Sequence, residues 1–150
     1  RQYQDIGVHA AEWYDVQSTI RSVTEHLPLE GISLSINIDR LAIYADPLIG
    51  KVFYNIMENS LRHGEHVTRM SFDCRNADSD IVIIFRDDGV GVPEDQKEKI
   101  FLQGFGKHTG LGMYLSRAIL SITGIRIQET GEPGKGAQFE MVVPPGAFRL

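Results

Sequence analysis

Five consecutive apolar residues, Ile81-Val82-Ile83-Ile84-Phe85, lead almost directly into Asp87-Asp88-Gly89-Val90-Gly91, and this stretch constrains the chain more than any other. A short, largely β-branched run of this kind, preceded by the polar turn Asn76-Ala77-Asp78-Ser79, reads as a strand buried on both faces at the centre of a sheet. A central strand needs neighbours, and the sequence offers them. Val67 to Cys74 alternates, with Met70, Phe72 and Cys74 facing one way. Ile125–Thr130 and Ala137–Val143 form a closing pair around the glycine turn at Gly134-Lys135-Gly136, while Ile32, Leu34, Ile36 and Ile38 alternate again. Leu41–Ala45 is a further short strand.

Three helices are expected beside these strands. The first starts at Asp15, carries Val16, Ile20, Val23 and Leu27 on one face, and ends at Pro28. The second carries Leu48, Val52, Phe53, Ile56, Met57, Ser60 and Leu61, with Asp46-Pro47 as its start signal and Gly64 as its stop. A short helix is expected from Glu94. The third main helix spans Leu111–Thr123, with Leu115, Ala118, Ile119 and Ile122 inward. The expected architecture is α+β: a two-layer sandwich, with a mixed sheet of about five strands and three main helices on one face. Residues 1–14 have weak periodicity and read as a lead-in, the end of an upstream hairpin or connector, with Trp13 as an anchor; residues 15–150 form the domain.

Charge and cysteine usage narrow the function. A net charge of -5 argues against non-specific binding to nucleic acid or an anionic membrane, which needs a basic surface. The lone cysteine, Cys74, forms no internal disulfide. No apolar run approaches the roughly 18 residues of a membrane span, and the N-terminus lacks a signal-peptide pattern.

Three polar clusters carry the chemistry. On the second helix Asn55 and Asn59 share a face, with Arg62 and His63 a turn further on. Amide oxygens are hard ligands for Mg²⁺ and a guanidinium suits phosphate, although a solvated helix face would look the same. Asp87 opens the second cluster at the mouth of the apolar strand. A carboxylate there accepts a hydrogen bond from an exocyclic amine such as adenine N6, while Gly89 and Gly91 permit close approach; a plain strand-to-helix turn is the competing reading. The third cluster, Gly104-Phe105-Gly106-Lys107-His108-Thr109-Gly110-Leu111-Gly112, runs into a helix start. It fits an anion site, or equally a loop with Thr109 as N-cap. Neither Gly-x-x-x-x-Gly-Lys-Ser/Thr nor Gly-x-Gly-x-x-Gly occurs, which excludes a P-loop and a Rossmann fingerprint.

Taken in order, these clusters resemble the catalytic ATP-binding domain of sensor histidine kinases, within the wider group that includes DNA gyrase, Hsp90 and MutL (the Bergerat-type fold). The resemblance covers about residues 15–145. Asn55 and Asn59 match the family's N box; Asp87, Gly89 and Gly91 its G1 box; Phe101 and Phe105 its F box; Gly110 and Gly112 its G2 box. It implies ATP and Mg²⁺ as cofactors. Asp87 would read adenine N6, Asn59 and Asn55 would hold the metal, and Arg62 would contact phosphate. His63 would pack by adenine or ribose, and Gly104–Gly110, with Lys107 and His108, would form the lid. A gyrase-like hydrolytic Glu is replaced by Asn55, which is no general base at neutral pH. This favours phosphoryl transfer over hydrolysis, with Glu58 a weaker candidate base. Two departures stand out: the lid is very short, and Ala137 replaces the usual Ser or Thr, so a hydroxyl near adenine is missing.

His9, His26, His63, His66 and His108 are the chain's histidines, and none has the setting of a phosphoacceptor. The resemblance therefore implies the catalytic part of a kinase whose dimerisation and phosphoacceptor hairpin, in a homodimer, lies elsewhere. Its further partner would be a response regulator; neither nucleic acid nor direct membrane contact is expected, and the implied location is cytoplasmic. A nucleotide-binding regulatory module without transfer activity, and a Ser/Thr-directed kinase of the anti-sigma type, are the alternatives.

Overall fold

The computed structural model describes residues 5–103 and 112–150. Its framework is a five-stranded sheet built from β2 (Ser33–Ile36), β4 (Arg69–Ala77), β5 (Asp80–Asp87), β6 (Arg126–Glu129) and β7 (Gln138–Val143), in the order β2-β4-β5-β7-β6. β2 runs parallel to β4 and every other pair is antiparallel, so the sheet is mixed. The apolar run forms β5, which pairs on both sides and holds the centre.

Three α-helices cover the sheet: α1 (Val16–Thr24), α2 (Ile49–His63) and α3 (Gly112–Ser121). Phe53 of α2 meets Phe72 of β4 edge-on at 5.9 Å, and the chain of rings continues through Phe85 of β5 and Phe139 of β7 to Phe101. All five rings are buried. This aromatic spine crosses three adjacent strands and ties the segment after β5 to the core.

The opposite face of β5 is buried by other means than the helix-covered face. Val82 and Ile84 are only 2% and 3% exposed, yet they lie outside the main core. Their cover comes from neighbouring strands. Arg75, opposite Val82, pairs at 3.4 Å with Glu140, opposite Ile84, and Arg86 pairs at 3.7 Å with Asp73. Long charged side chains lie over aliphatic surface and keep their heads in water. The continuous run therefore reflects an ion-paired lid over the open face.

A second, small sheet joins β1 (Glu12–Asp15), β3 (Ala42–Ala45) and β8 (Phe148–Arg149), in the order β1-β3-β8. The lead-in thus contributes a strand, where the sequence shows no alternation because Trp13 and Tyr14 are adjacent. Trp13 packs against Tyr44 with ring centres 5.3 Å apart and planes tilted by 49°, and lies under the Arg149 guanidinium at 3.8 Å, while the Gly7 amide donates to Asp46. Leu41–Ala45 is a strand as expected but belongs to this sheet.

Three local readings need correction. Asp46 does accept from the Leu48 amide at 2.9 Å, but α2 begins only at Ile49, with Leu48 as its uncapped N-cap. On α3 the inward residues are Met113, Leu115, Ser116, Ile119 and Leu120; Ile122 lies beyond the helix end and is 47% exposed. The expected helix from Glu94 is two single 3-10 turns, Glu94–Gln96 and Lys99–Phe101.

Candidate functional site

Asp87 ends β5 and is 9% exposed. Its Oδ1 accepts from the Gly89 amide at 2.9 Å and the Ala137 amide at 2.9 Å, and its Oδ2 accepts from the Ser60 hydroxyl at 2.5 Å. A carboxylate has about four acceptor sites, so three donors leave Oδ2 with capacity for one more. Ser60 is itself buried, at the start of the last turn of α2, so helix and sheet meet at this carboxylate.

Ser60 is the functional residue that sequence reasoning missed. Its place in the apolar stripe made it look like a small core residue. The hydroxyl expected beyond Gly136 is absent at Ala137, whose backbone amide serves Asp87 instead. A hydroxyl reaches the same carboxylate from the helix side. The only sequence signal was a serine on an otherwise apolar face.

Close packing, rather than turn geometry alone, accounts for the glycines. A Cβ on Gly89 would stand 2.4 Å from the carbonyl oxygen of Gly64, which accepts the Val90 amide at 3.1 Å. Gly64 itself is right-handed (φ -76°), so the loop after β5 lies directly on the end of α2. Gly136 has φ +113°, and a Cβ there would come within 2.0 Å of the Asp87 carbonyl oxygen. Gly91, at φ +77°, lies against the same Gly136 carbonyl.

The adjacent carboxylate does different work. Asp88 accepts from the Thr68 and Arg69 amides at 2.8 and 2.9 Å and from the Thr68 hydroxyl. These bonds, led by that from the Thr68 hydroxyl, hold its carboxyl down at about 2 and fasten the loop to the start of β4.

On α2, Asn55 donates through Nδ2 to the Gly112 carbonyl at 3.0 Å and to the Ser116 hydroxyl at 3.1 Å. Ser116 in turn donates to the Gly112 carbonyl at 2.9 Å. Asn55 therefore anchors the first turn of α3 with its amide nitrogen. Asn59, one turn further along, is half-buried, and its side chain makes no hydrogen bond to a described residue. Arg62 places Nε and Nη2 on one oxygen of Glu58, at 2.9 and 2.5 Å; this partner raises the guanidinium pKa further. Glu58 is thus committed to Arg62. His63, the last residue of α2, is exposed. Phe105, Lys107, His108, Thr109, Gly110 and Leu111 lie outside the described residues.

The donor set suits Mg²⁺ in kind. The Asn55 nitrogen is occupied at α3, which leaves its amide oxygen as the atom that could ligate a metal, and Asn59 offers a second neutral oxygen. Among the described residues no cluster of His, Cys, Asp and Glu competes for a metal, and no helix is long and apolar enough to cross a membrane.

Comparison with known proteins places the fold in a family. Residues 45–147 match the family described as histidine kinase-, DNA gyrase B- and HSP90-like ATPase. The chain is 30% identical over 145 residues to the alginate biosynthesis sensor protein KinB of Pseudomonas aeruginosa, covering 93% of this chain and 23% of that protein. It therefore spans about a quarter of that relative's length. Full-length ShkA in complex with AMPPNP superimposes with a TM-score of 0.77 at 22% identity, over 97% of this chain and 34% of that one. Histidine kinase ThkA in complex with response regulator TrrA gives 0.72 at 21% identity, over 89% and 41%. At such identities the structures speak for the fold, and the family match spans most of the chain, from the end of β3 to the start of β8. The chain belongs to the histidine kinase-, DNA gyrase B- and HSP90-like ATPase family, and its relatives there include sensor histidine kinases.

Proposed function

We propose that this domain binds Mg-ATP and transfers the γ-phosphoryl group to a histidine on a dimerisation and phosphoacceptor hairpin outside residues 1–150. The observation that carries the reading is the buried Asp87 carboxylate, held by three donors with one acceptor site left over, at the sheet end where α2 brings its asparagine face. Adenine presents an amine to such a group, whereas guanine presents an acceptor and leaves the carboxylate unpaired. That difference makes the site adenine-selective.

The amide oxygens of Asn59 and Asn55 would hold Mg²⁺, which when bound would supply charge neutralisation of the polyphosphate. Among the described residues, Arg62 is the cation that would turn from Glu58 to phosphate. In the transfer, the bond from the γ-phosphorus to the β–γ bridging oxygen breaks, a phosphorus–nitrogen bond forms, and ADP departs; the imidazole proton passes to solvent. Positioning and charge do most of such work. Asn55 stands where a hydrolytic base would be needed and has its nitrogen committed to α3, which favours transfer over hydrolysis. The response regulator bound to ThkA is the class of protein that would next receive the phosphoryl group.

The test supplies a purified acceptor hairpin in trans with γ-labelled Mg-ATP. Acid-labile, base-stable label on the hairpin supports histidine transfer. Acid-stable label would point to Ser/Thr transfer, and tight ATP binding without label to a regulatory module.

A further inference from the structure

A buried ion pair lies one residue away from the Asp87 network and takes no part in the site described above. Lys97 donates to the Glu129 carboxylate, to the Gly131 carbonyl at 2.8 Å and to the Val92 carbonyl at 3.2 Å. These three acceptors use all three ammonium protons. The Glu129 side chain is fully buried and that of Lys97 only 13% exposed. The second Glu129 oxygen accepts from the Gln138 amide at 2.9 Å.

The placement of these bonds gives the pair a role. Val92 directly follows the Gly91 turn after β5, and Gly131 opens the loop that Gly136 closes. At the entry to β7, two consecutive amides go to two carboxylates: Ala137 to Asp87 and Gln138 to Glu129. One ammonium therefore ties together the two loops that pack against Asp87. The Gly91 and Gly136 turns leave no slack between them, since a Cβ on Gly91 would stand 2.9 Å from the Gly136 carbonyl oxygen.

Burying two charges is a poor route to stability, because well-packed apolar residues of similar volume often hold a fold as well or better. Apolar residues cannot bond two carbonyls and an amide at fixed directions. We propose that Lys97 and Glu129 are positioning residues that set the orientation of the Asp87 carboxylate, and through it the preference for an adenine amine over a guanine carbonyl. This rests on the reading of Asp87 as the base-contacting group.

Calorimetric titration with Mg-ATP and Mg-GTP tests the pair in the parent chain, K97M/E129L and E129Q. The parent is expected to prefer ATP. The double variant should melt within a few degrees of the parent, yet bind ATP roughly tenfold more weakly and lose a similar factor in its ATP-to-GTP ratio. E129Q, which keeps the side-chain shape and removes the charge, should lose part of that ratio. A double variant that keeps the parent's ratio overturns the inference, as does an E129Q protein with unchanged discrimination if the double variant does not fold. A parent chain that binds ATP and GTP equally overturns the reading of Asp87 beneath it, which is a different failure.

Discussion

The Ser60 hydroxyl donates to Asp87 Oδ2 across 2.5 Å, joining the buried face of α2 to the end of the central strand. This bond puts one side chain of the core helix in direct charge of the group proposed to meet the base. It also explains how the site keeps a hydroxyl on its carboxylate with alanine at position 137.

Ser60→Ala should therefore cost more than an ordinary serine truncation. A buried hydrogen bond to a charged acceptor contributes roughly 1.5–3 kcal/mol. Denaturant unfolding is expected to show a loss in that range, with weaker ATP binding in calorimetry. Asp87→Asn should keep the Gly89 and Ala137 contacts, present an amide nitrogen where an acceptor is needed, and weaken ATP by about tenfold or more. Full ATP affinity in Asp87→Asn would exclude the base-reading role.

The two asparagines of α2 should separate when each is changed to alanine. Asn55→Ala removes the anchor of α3 at Gly112 and Ser116 and is expected to destabilise the fold by about 1–2 kcal/mol. Asn59→Ala breaks no bond to a described residue, so its stability should stay within about 0.5 kcal/mol of the parent. Its ATP binding should nevertheless lose the tightening produced by Mg²⁺. Titrations with and without the metal check this, and unchanged magnesium dependence would remove Asn59 from the metal site.

Glu58→Gln distinguishes a base from a tether. With Glu58 bound to Arg62 through two of the three guanidinium nitrogens, loss of its charge should loosen Arg62 and leave transfer to an acceptor hairpin within about twofold of the parent. A fall in the transfer step of a hundredfold or more, in the range of general-base loss, would return the base role to Glu58.

Acid should reveal the work of Asp88. Its carboxyl lies at about 2 in the folded state against an ordinary 3.8, so the folded chain holds the charged form more tightly than the unfolded chain does. The stabilisation is complete above pH 3.8 and disappears as pH falls toward 2. Asp88→Asn should be about 1 kcal/mol less stable than the parent at pH 6, after allowance for partial exposure. The two should converge in melting scans taken down to pH 2; a gap that persists at pH 2 would show that the loss comes from something other than the charge.

The apolar run at Ile81–Phe85, the alternation before and after it and the stripe on α2 determined most of the architecture, because each records locally which face is buried. Order in the sequence likewise brought Asn55, Asn59 and Asp87 forward as one group. What lay outside local pattern was partner choice. Ser60 and Asp87 are 27 residues apart, Ala137 and Asp87 50, and Lys97 and Glu129 32, so no periodicity connects them. The strand at Glu12–Asp15 was hidden because Trp13 and Tyr14 are adjacent, and the two-residue β8 is too short to show alternation. Two adjacent aspartates of the same chemistry acquired different tasks, since β5 ends with Asp87 turned to α2 and β7 and the loop carries Asp88 back to β4. Register across the sheet decided those contacts, and with them which carboxylate is left with a place for a ligand.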